Sequence, residues 1–302
     1  MRKSIMYSVA VLGISYSVVG ILVFTGILNP STQYVISMLY MFLPLVTALI
    51  FDRLVYKNNL VTSWGLKFKF NRWLFWPLAI IPIFVALTLV INLMFPGTRL
   101  ELNHIAAHEN LLTTEQFEAA RLQLESIPSA MFYLIQILSA IVAGYTINAL
   151  FAFGEEVGWR GYFLNTFEGK PFWQASLFTG SVWGIWHAPL VLLGHNYPEH
   201  PQIGVAMMTL WCILLTPMFI YVRVKAKSVY GASFLHGFLN ALAGLPLLLI
   251  IGGNDLTKSV TGAAGMIALI IINAALYAFD VYISKDRIMV SDIILSNGEM
   301  NK

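Results

Sequence analysis

Along the 302 residues, apolar positions run in long unbroken stretches and do not alternate with polar ones. About 20 mostly apolar residues in a helix cross the roughly 30 Å hydrocarbon core of a bilayer. Eight stretches meet that length: Ser4–Leu28, Tyr34–Tyr56, Leu74–Phe95, Ser129–Phe153, Phe172–Gly194, Ile203–Val222, Ser228–Ile251 and Gly262–Ile283. Continuous runs predict helices; a membrane barrel needs alternation. The expected fold is all-α, a polytopic transmembrane helical bundle of about eight spans. The first run follows Met1-Arg2-Lys3 and superficially suggests a signal peptide. It is longer than the 7–15 residues of an h-region, and no small-x-small cleavage site closes it. It reads as a retained helix.

Composition agrees. Hydrophobic residues make up 58% of the chain and charged ones 11%, against about a quarter charged in an ordinary soluble domain. Such a balance excludes disorder. The single cysteine, Cys212, excludes a disulfide framework. A net charge of +3 provides no surface for nucleic acid. The expected partners are the lipid bilayer and whatever the bundle acts on.

Eight spans place both termini on one side. With that count, all but three of the 18 Lys and Arg fall on the terminal side, including Lys57 and Lys302; Arg99, Arg121 and Lys258 fall opposite. Positive charge marks the cytoplasmic face, so both termini are expected in the cytoplasm, with a prokaryotic plasma membrane as the setting. The long outer loop from Pro96 to Pro128 carries five glutamates, and Thr113-Thr114-Glu115-Gln116 predicts a capped amphipathic helix within it. No repeat or second domain is evident, so residues 1–302 form one membrane-embedded domain.

An ionisable side chain inside a span costs about 2.5–3.5 kcal/mol on insertion scales, so each needs a reason. Glu155 and Glu156 close the fourth span, with Arg160 just beyond; His187 sits in the fifth, His236 and Asn240 in the seventh, and Asp280 near the end of the eighth. Glu156 and Arg160 are spaced i,i+4 and share a face, which predicts an ion pair. Glu155 points about 100° away, free to face a cavity. Trp183 with His187, and His236 with Asn240, repeat the i,i+4 spacing. Asp280 reads as an interfacial charge near Lys285 and Arg287. His104 and His108, also i,i+4, lack a third metal ligand, and His195 and His200 read as solvated loop residues. Two carboxylates, two imidazoles and an amide on three spans are the parts of a hydrolytic site.

The motifs that carry these residues resemble a known family. Glu155-Glu156-Val157-Gly158-Trp159-Arg160 matches EExxxR; Trp183-Gly184-Ile185-Trp186-His187 matches FxxxH with Trp for Phe; His236-Gly237-Phe238-Leu239-Asn240 matches HxxxN. In this order, within about 148–244, they resemble the CPBP intramembrane proteases, also called the type II CAAX prenyl endopeptidase or Abi family. The resemblance implies a peptidase whose site opens to the cytoplasmic side and which cuts near the C terminus of a protein or peptide, prenylated or not. It also implies the alternative of a non-catalytic bacteriocin-immunity or scaffold protein on the same fold.

Peptide hydrolysis needs an activated water, a stabiliser for the oxyanion and a proton for the leaving amine. Glu155 is the expected general base. His187 holds the same water, and His236 with Asn240 donate to the oxyanion. Glu156 and Arg160 stiffen the helix, while Trp159 and Trp183 line the cavity. No cofactor is required by this scheme. The competing scheme uses zinc held by His187, His236 and Glu155. A transporter using the same groups as a proton relay is the remaining rival, though no inverted repeat supports it.

Overall fold

The computed structural model describes residues 2–29, 31–56 and 64–295. Lys57 and Lys302 lie outside the described residues. The chain is an all-α polytopic membrane bundle, helical almost throughout. Among the described residues, six helices are long and apolar enough to cross a bilayer, or up to seven if one bent pair is a single span. The first is α1 (Arg2–Phe24). The second combines α2 (Gln33–Tyr40) with α3 (Leu43–Ile50), and the third contains α4 (Pro77–Asn92).

The outer loop then folds as α5 (His104–Leu111) and α6 (Thr114–Glu125). The predicted cap is present, with Thr113 and Gln116 exchanging side-chain and backbone hydrogen bonds. Helix α6 meets α7 (Ser129–Tyr145) at 102°. Two residues of this region, Arg99–Leu100 (β1), pair antiparallel with Ile250–Ile251 (β2).

The fourth and fifth predicted spans are broken so far that neither passes as an uninterrupted crossing. The fourth divides into α7 and α8 (Ile147–Glu156) at Thr146, whose backbone leaves the helical region (φ −120°, ψ −97°). The Thr146 hydroxyl donates to the Val142 carbonyl at 2.6 Å, a local bond that competes with the helical ladder. After α8 the chain widens into a π-helix, Val157–Phe163, and so continues past Arg160. The fifth divides into α9 (Phe172–Trp186) and α10 (Ala188–Leu192) at His187. Pro189 explains the break: it has no N–H, so the Ile185 carbonyl four residues back loses its helical donor. Hydroxyls from other helices replace it. Tyr16 of α1 donates to Ile185 O at 2.6 Å, and Tyr40 donates to Trp186 O at 2.8 Å. Beyond lie α11 (Pro201–Ala226), α12 (Val229–Leu242), α13 (Leu245–Leu249) and α14 (Ala263–Ala278).

Glycine sets the close crossings that hold the polar helices together, as small residues do in membranes. Gly237 of α12 lies so near α7 and α8 that a Cβ would meet the Gly144 carbonyl and, at 2.6 Å, the Ala149 nitrogen. Backbone cannot yield as a side-chain tip can. Gly237→Ala is therefore expected to push α12 away from α8 and lower stability by about 1–3 kcal/mol, read from unfolding of the purified protein in detergent. An unchanged unfolding midpoint would show that the crossing is loose.

The bundle has two chemically distinct ends. At one, Asn71 Nδ2 donates to Ala226 O at 3.0 Å, the Lys170 carbonyl accepts from Ile293 N at 2.8 Å, and Lys225 Nζ lies 2.5 Å from Asp286. This gathers Lys67, Lys69, Arg72, Arg223 and Lys227 into the same region. At the other end, Tyr197 donates to Thr261 O at 2.7 Å, and Asp255 accepts from the backbone of Glu199 and His200. The Asp286 carboxyl is held below the ordinary aspartate range, chiefly by its hydrogen bond from Lys225. Its contribution to stability is complete above the unfolded aspartate pKa and is lost as pH falls through the lowered folded value. At a surface pair this amounts to about 1 kcal/mol at most. Lys225→Ala should remove that part of the acid dependence, measured as unfolding midpoint against pH.

Candidate active site

The extended α8 carries adjacent carboxylates into the bundle, both essentially inaccessible to solvent. Glu156 Oε1 accepts from Arg160 Nη1 at 3.0 Å, the ion pair expected from the i,i+4 spacing. The same oxygen lies 2.8 Å from His236 Nδ1. With Glu156 ionised, His236 donates through Nδ1 and leaves Nε2 for other partners. Arg160 is sandwiched as well, its guanidinium carbon 4.2 Å from the Trp183 ring centroid and 4.5 Å from that of Phe219. A bidentate, stackable cation suits such a buried position.

Glu155 points elsewhere, as the helical angle required. Its Oε2 accepts from Trp183 Nε1 at 2.8 Å. Trp183 occupies the position where the motif has Phe, and the indole supplies a donor that Phe lacks. One turn on, His187 closes α9, and its Nδ1 lies 2.8 Å from the Trp183 carbonyl. A carbonyl only accepts, so His187 donates there through Nδ1 and also keeps Nε2 free. The imidazoles of His187 and His236 sit 5.9 Å and 5.7 Å from the Trp183 ring. One indole thus spans all three groups.

These groups face a cavity of about 640 Å³, whose lining includes Glu155, Trp183, His187, His236 and Asn240. Asn240 is exposed to it, one turn beyond His236 on α12. The structure brings these residues to one space and leaves Glu156 and Arg160 behind them as a buried support.

Trp159 is a correction. It does not line the cavity but packs into an aromatic core, 6.0 Å from Tyr7 and 5.7 Å from Trp186. It stands in the π-helical turn Val157–Phe163, whose residues are all buried in the bundle. Trp186 lines the cavity in its place.

Other polar residues also part from their sequence reading. Asp280 is fully buried and accepts from Met289 N at 2.8 Å, so it fixes the turn after α14 and is not a solvated interfacial charge. His104 is buried against Phe132 and bonds Ser129 and the Leu124 carbonyl, a packing role. His195 lines the cavity. His200 is not free in solvent, since its Nδ1 lies 2.6 Å from Asp255 Oδ1.

A zinc ion would need the donor atoms of His187, His236 and Glu155 gathered about one point. Among the described residues, the group that meets this condition is Glu199, His200 and Asp255, with one atom each within 4.8 Å of the others. There Asp255 is already engaged: Oδ2 accepts from the backbone of Glu199 at 2.7 Å and His200 at 3.1 Å, while Oδ1 meets the imidazole. It satisfies backbone donors at the start of α11, as a capping carboxylate does.

Fold and site together define a multi-pass integral membrane protein with an acid–imidazole cluster built around an internal cavity. Sequence comparison agrees with that class. Residues 127–242 match the family model described as type II CAAX prenyl endopeptidase Rce1-like. This stretch contains Glu155, Glu156, Arg160, Trp183, His187, His236 and Asn240. The CAAX prenyl protease 2 of Methanococcus maripaludis is 29% identical over 96 residues, which cover 28% of this chain and 34% of that protein. The chain therefore spans about a third of the length of the curated relative it matches.

Proposed function

We propose that this protein is an intramembrane endopeptidase of the CAAX type, working near the C terminus of a protein or peptide with or without a prenyl group. The observation that carries the reading is the convergence of Glu155, His187, His236 and Asn240 on one cavity, with each imidazole bound through Nδ1. Glu155, held by Trp183 through one oxygen, takes a proton from water through the other. The second hydrogen of that water is donated to His187 Nε2, leaving an oxygen lone pair for the peptide carbonyl. Attack forms the C–O bond and moves charge onto the carbonyl oxygen. There the Asn240 amide donates, together with His236 Nε2 when that imidazole carries its second proton opposite Glu156. Glu155 then passes its proton to the amine nitrogen as the C–N bond breaks. Removing one oxyanion donor typically lowers the rate by about 10²–10³.

The setting we propose is a prokaryotic plasma membrane, with the Lys/Arg-rich end of the bundle and both termini in the cytoplasm. The test is cleavage by purified protein of peptides ending in a prenylated CaaX sequence, compared with unmodified peptides of the same sequence. Cleavage of either supports a peptidase, and the ratio between them decides whether a lipid is read. No cleavage of either, alongside an intact cellular phenotype for a Glu155 variant, would point to the non-catalytic alternative.

A further inference from the structure

The cavity lies asymmetrically in the bundle. Its floor is Glu155, Trp183 and His236, and its remaining lining follows α2, α8, α11 and α12 toward one end. On α12 it climbs from His236 through Asn240 to Ala243, and on α8 it runs back from Glu155 to Asn148. It finishes at Tyr34, Gly194, His195, Asn196 and Thr261. Tyr34 is 75% exposed. This is the end where Tyr197 bonds Thr261 and where Asp255 caps α11. Cys212, 3.9 Å from His187 Nδ1, lies 11 residues into α11 and so about 17 Å from that helix's start at the same end.

Toward the basic end, described residues close the floor. Beneath Trp183 lie Arg160 and Glu156, and beneath them Arg223, whose Nε donates to the Arg160 carbonyl at 3.1 Å and whose Nη2 reaches the Trp64 carbonyl. Arg160, Glu156, Arg223 and Trp64 are all buried. No described lining residue of the cavity belongs to the cluster around Lys225, Asp286 and Lys170.

The ends also differ in charge. Three basic residues, Arg99, Arg121 and Lys258, belong to the mouth end, whereas among the described residues Lys67, Lys69, Arg72, Lys170, Arg223, Lys225 and Lys227 lie at or near the other. Short basic segments beside spans are retained in the cytoplasm. We infer that the cavity opens on the extracytoplasmic face of the membrane, so that its occupant is a peptide presented from outside the cell or lodged in the outer leaflet. The direction of access stands on the lining and the charge partition; the word peptide rests on the peptidase reading above. The inference runs against the cytoplasmic opening that the family resemblance implies.

Thiol labelling tests it in the full-length protein, in bacterial cells. The native cysteine, Cys212, is fully buried, so the unaltered chain supplies the background. Tyr34→Cys probes the mouth, Asn148→Cys the cavity wall, and exposed Lys67→Cys the basic end. A membrane-impermeant maleimide should label Tyr34→Cys and Asn148→Cys in intact cells, and Lys67→Cys only in inverted vesicles. Labelling of Asn148→Cys only from inverted vesicles, or from neither face, overturns the inference, as does labelling of Lys67→Cys in intact cells. Cleavage does not enter this readout. A failed peptidase assay leaves the direction of access standing, and a reversed labelling pattern leaves the chemistry standing.

Discussion

Glu155→Gln is expected to lower peptide cleavage by about 10²–10⁴-fold, the contribution of a positioned general base, with little change in stability. The amide has the volume of the carboxylate, and its carbonyl oxygen still accepts from Trp183 Nε1, so the 2.8 Å contact survives. What disappears is the basic oxygen facing the cavity. Single-turnover cleavage in proteoliposomes, beside unfolding of the same preparation, separates the two effects. Retained cleavage with an intact fold would remove Glu155 from the chemistry. Lost cleavage with a lost fold would say nothing of catalysis, and for that case Glu155→Asp provides a carboxylate one methylene shorter, expected to keep partial activity.

Arg160→Met should be among the most destabilising single changes in the chain. Breaking a buried ion pair from one side costs about 3–5 kcal/mol, because the remaining charge stays buried and uncompensated. Glu156 is that charge, and it also fixes His236. Arg160 in addition fills the space between Trp183 and Phe219, which Met matches in length but not in stacking. The double change Glu156→Gln with Arg160→Met removes both charges and should recover part of the loss. A denaturation cycle over the four proteins in detergent measures the coupling. If Arg160→Met costs no more than the roughly 1 kcal/mol of a surface pair, the ion pair is not holding the floor of the cavity. Cleavage in the double variant should remain poor, since a neutral amide in place of the Glu156 carboxylate leaves His236 without its anionic partner.

Much of this architecture was legible in the sequence, and the gaps have physical causes. Unbroken apolar runs identified the spans because a lipid solvent leaves the backbone little choice but helix. They hid the breaks at Thr146 and His187, since a broken helix buried among others is as apolar as a straight one. Pro189 was the available signal for the second break. The Glu156–Arg160 pair was readable because a helix fixes i,i+4 neighbours; the contact of Glu156 with His236 spans 80 residues and depends on how α8 and α12 cross. Trp183 looked like a departure affecting cavity shape, because a motif records side-chain size and not the donor on an indole. Trp159 was misplaced because an aromatic beside the acids can as well pack into the core, where it meets Tyr7 and Trp186. His200 read as solvated because Asp255, its partner, is 55 residues away.

The two tyrosine hydroxyls that bond the Ile185 and Trp186 carbonyls at the break before Pro189 give the opening segment of the chain a part in shaping the cavity. Tyr16 and Tyr40 belong to α1 and α2, helices with no acid, imidazole or recognisable motif, yet they brace the last two residues before His187. A chain shortened to begin near the third crossing would still carry all three motifs that hold Glu155, His187 and His236. Its His187 would lose both braces and keep only its own bond to the Trp183 carbonyl, a loss that the motifs alone do not reveal.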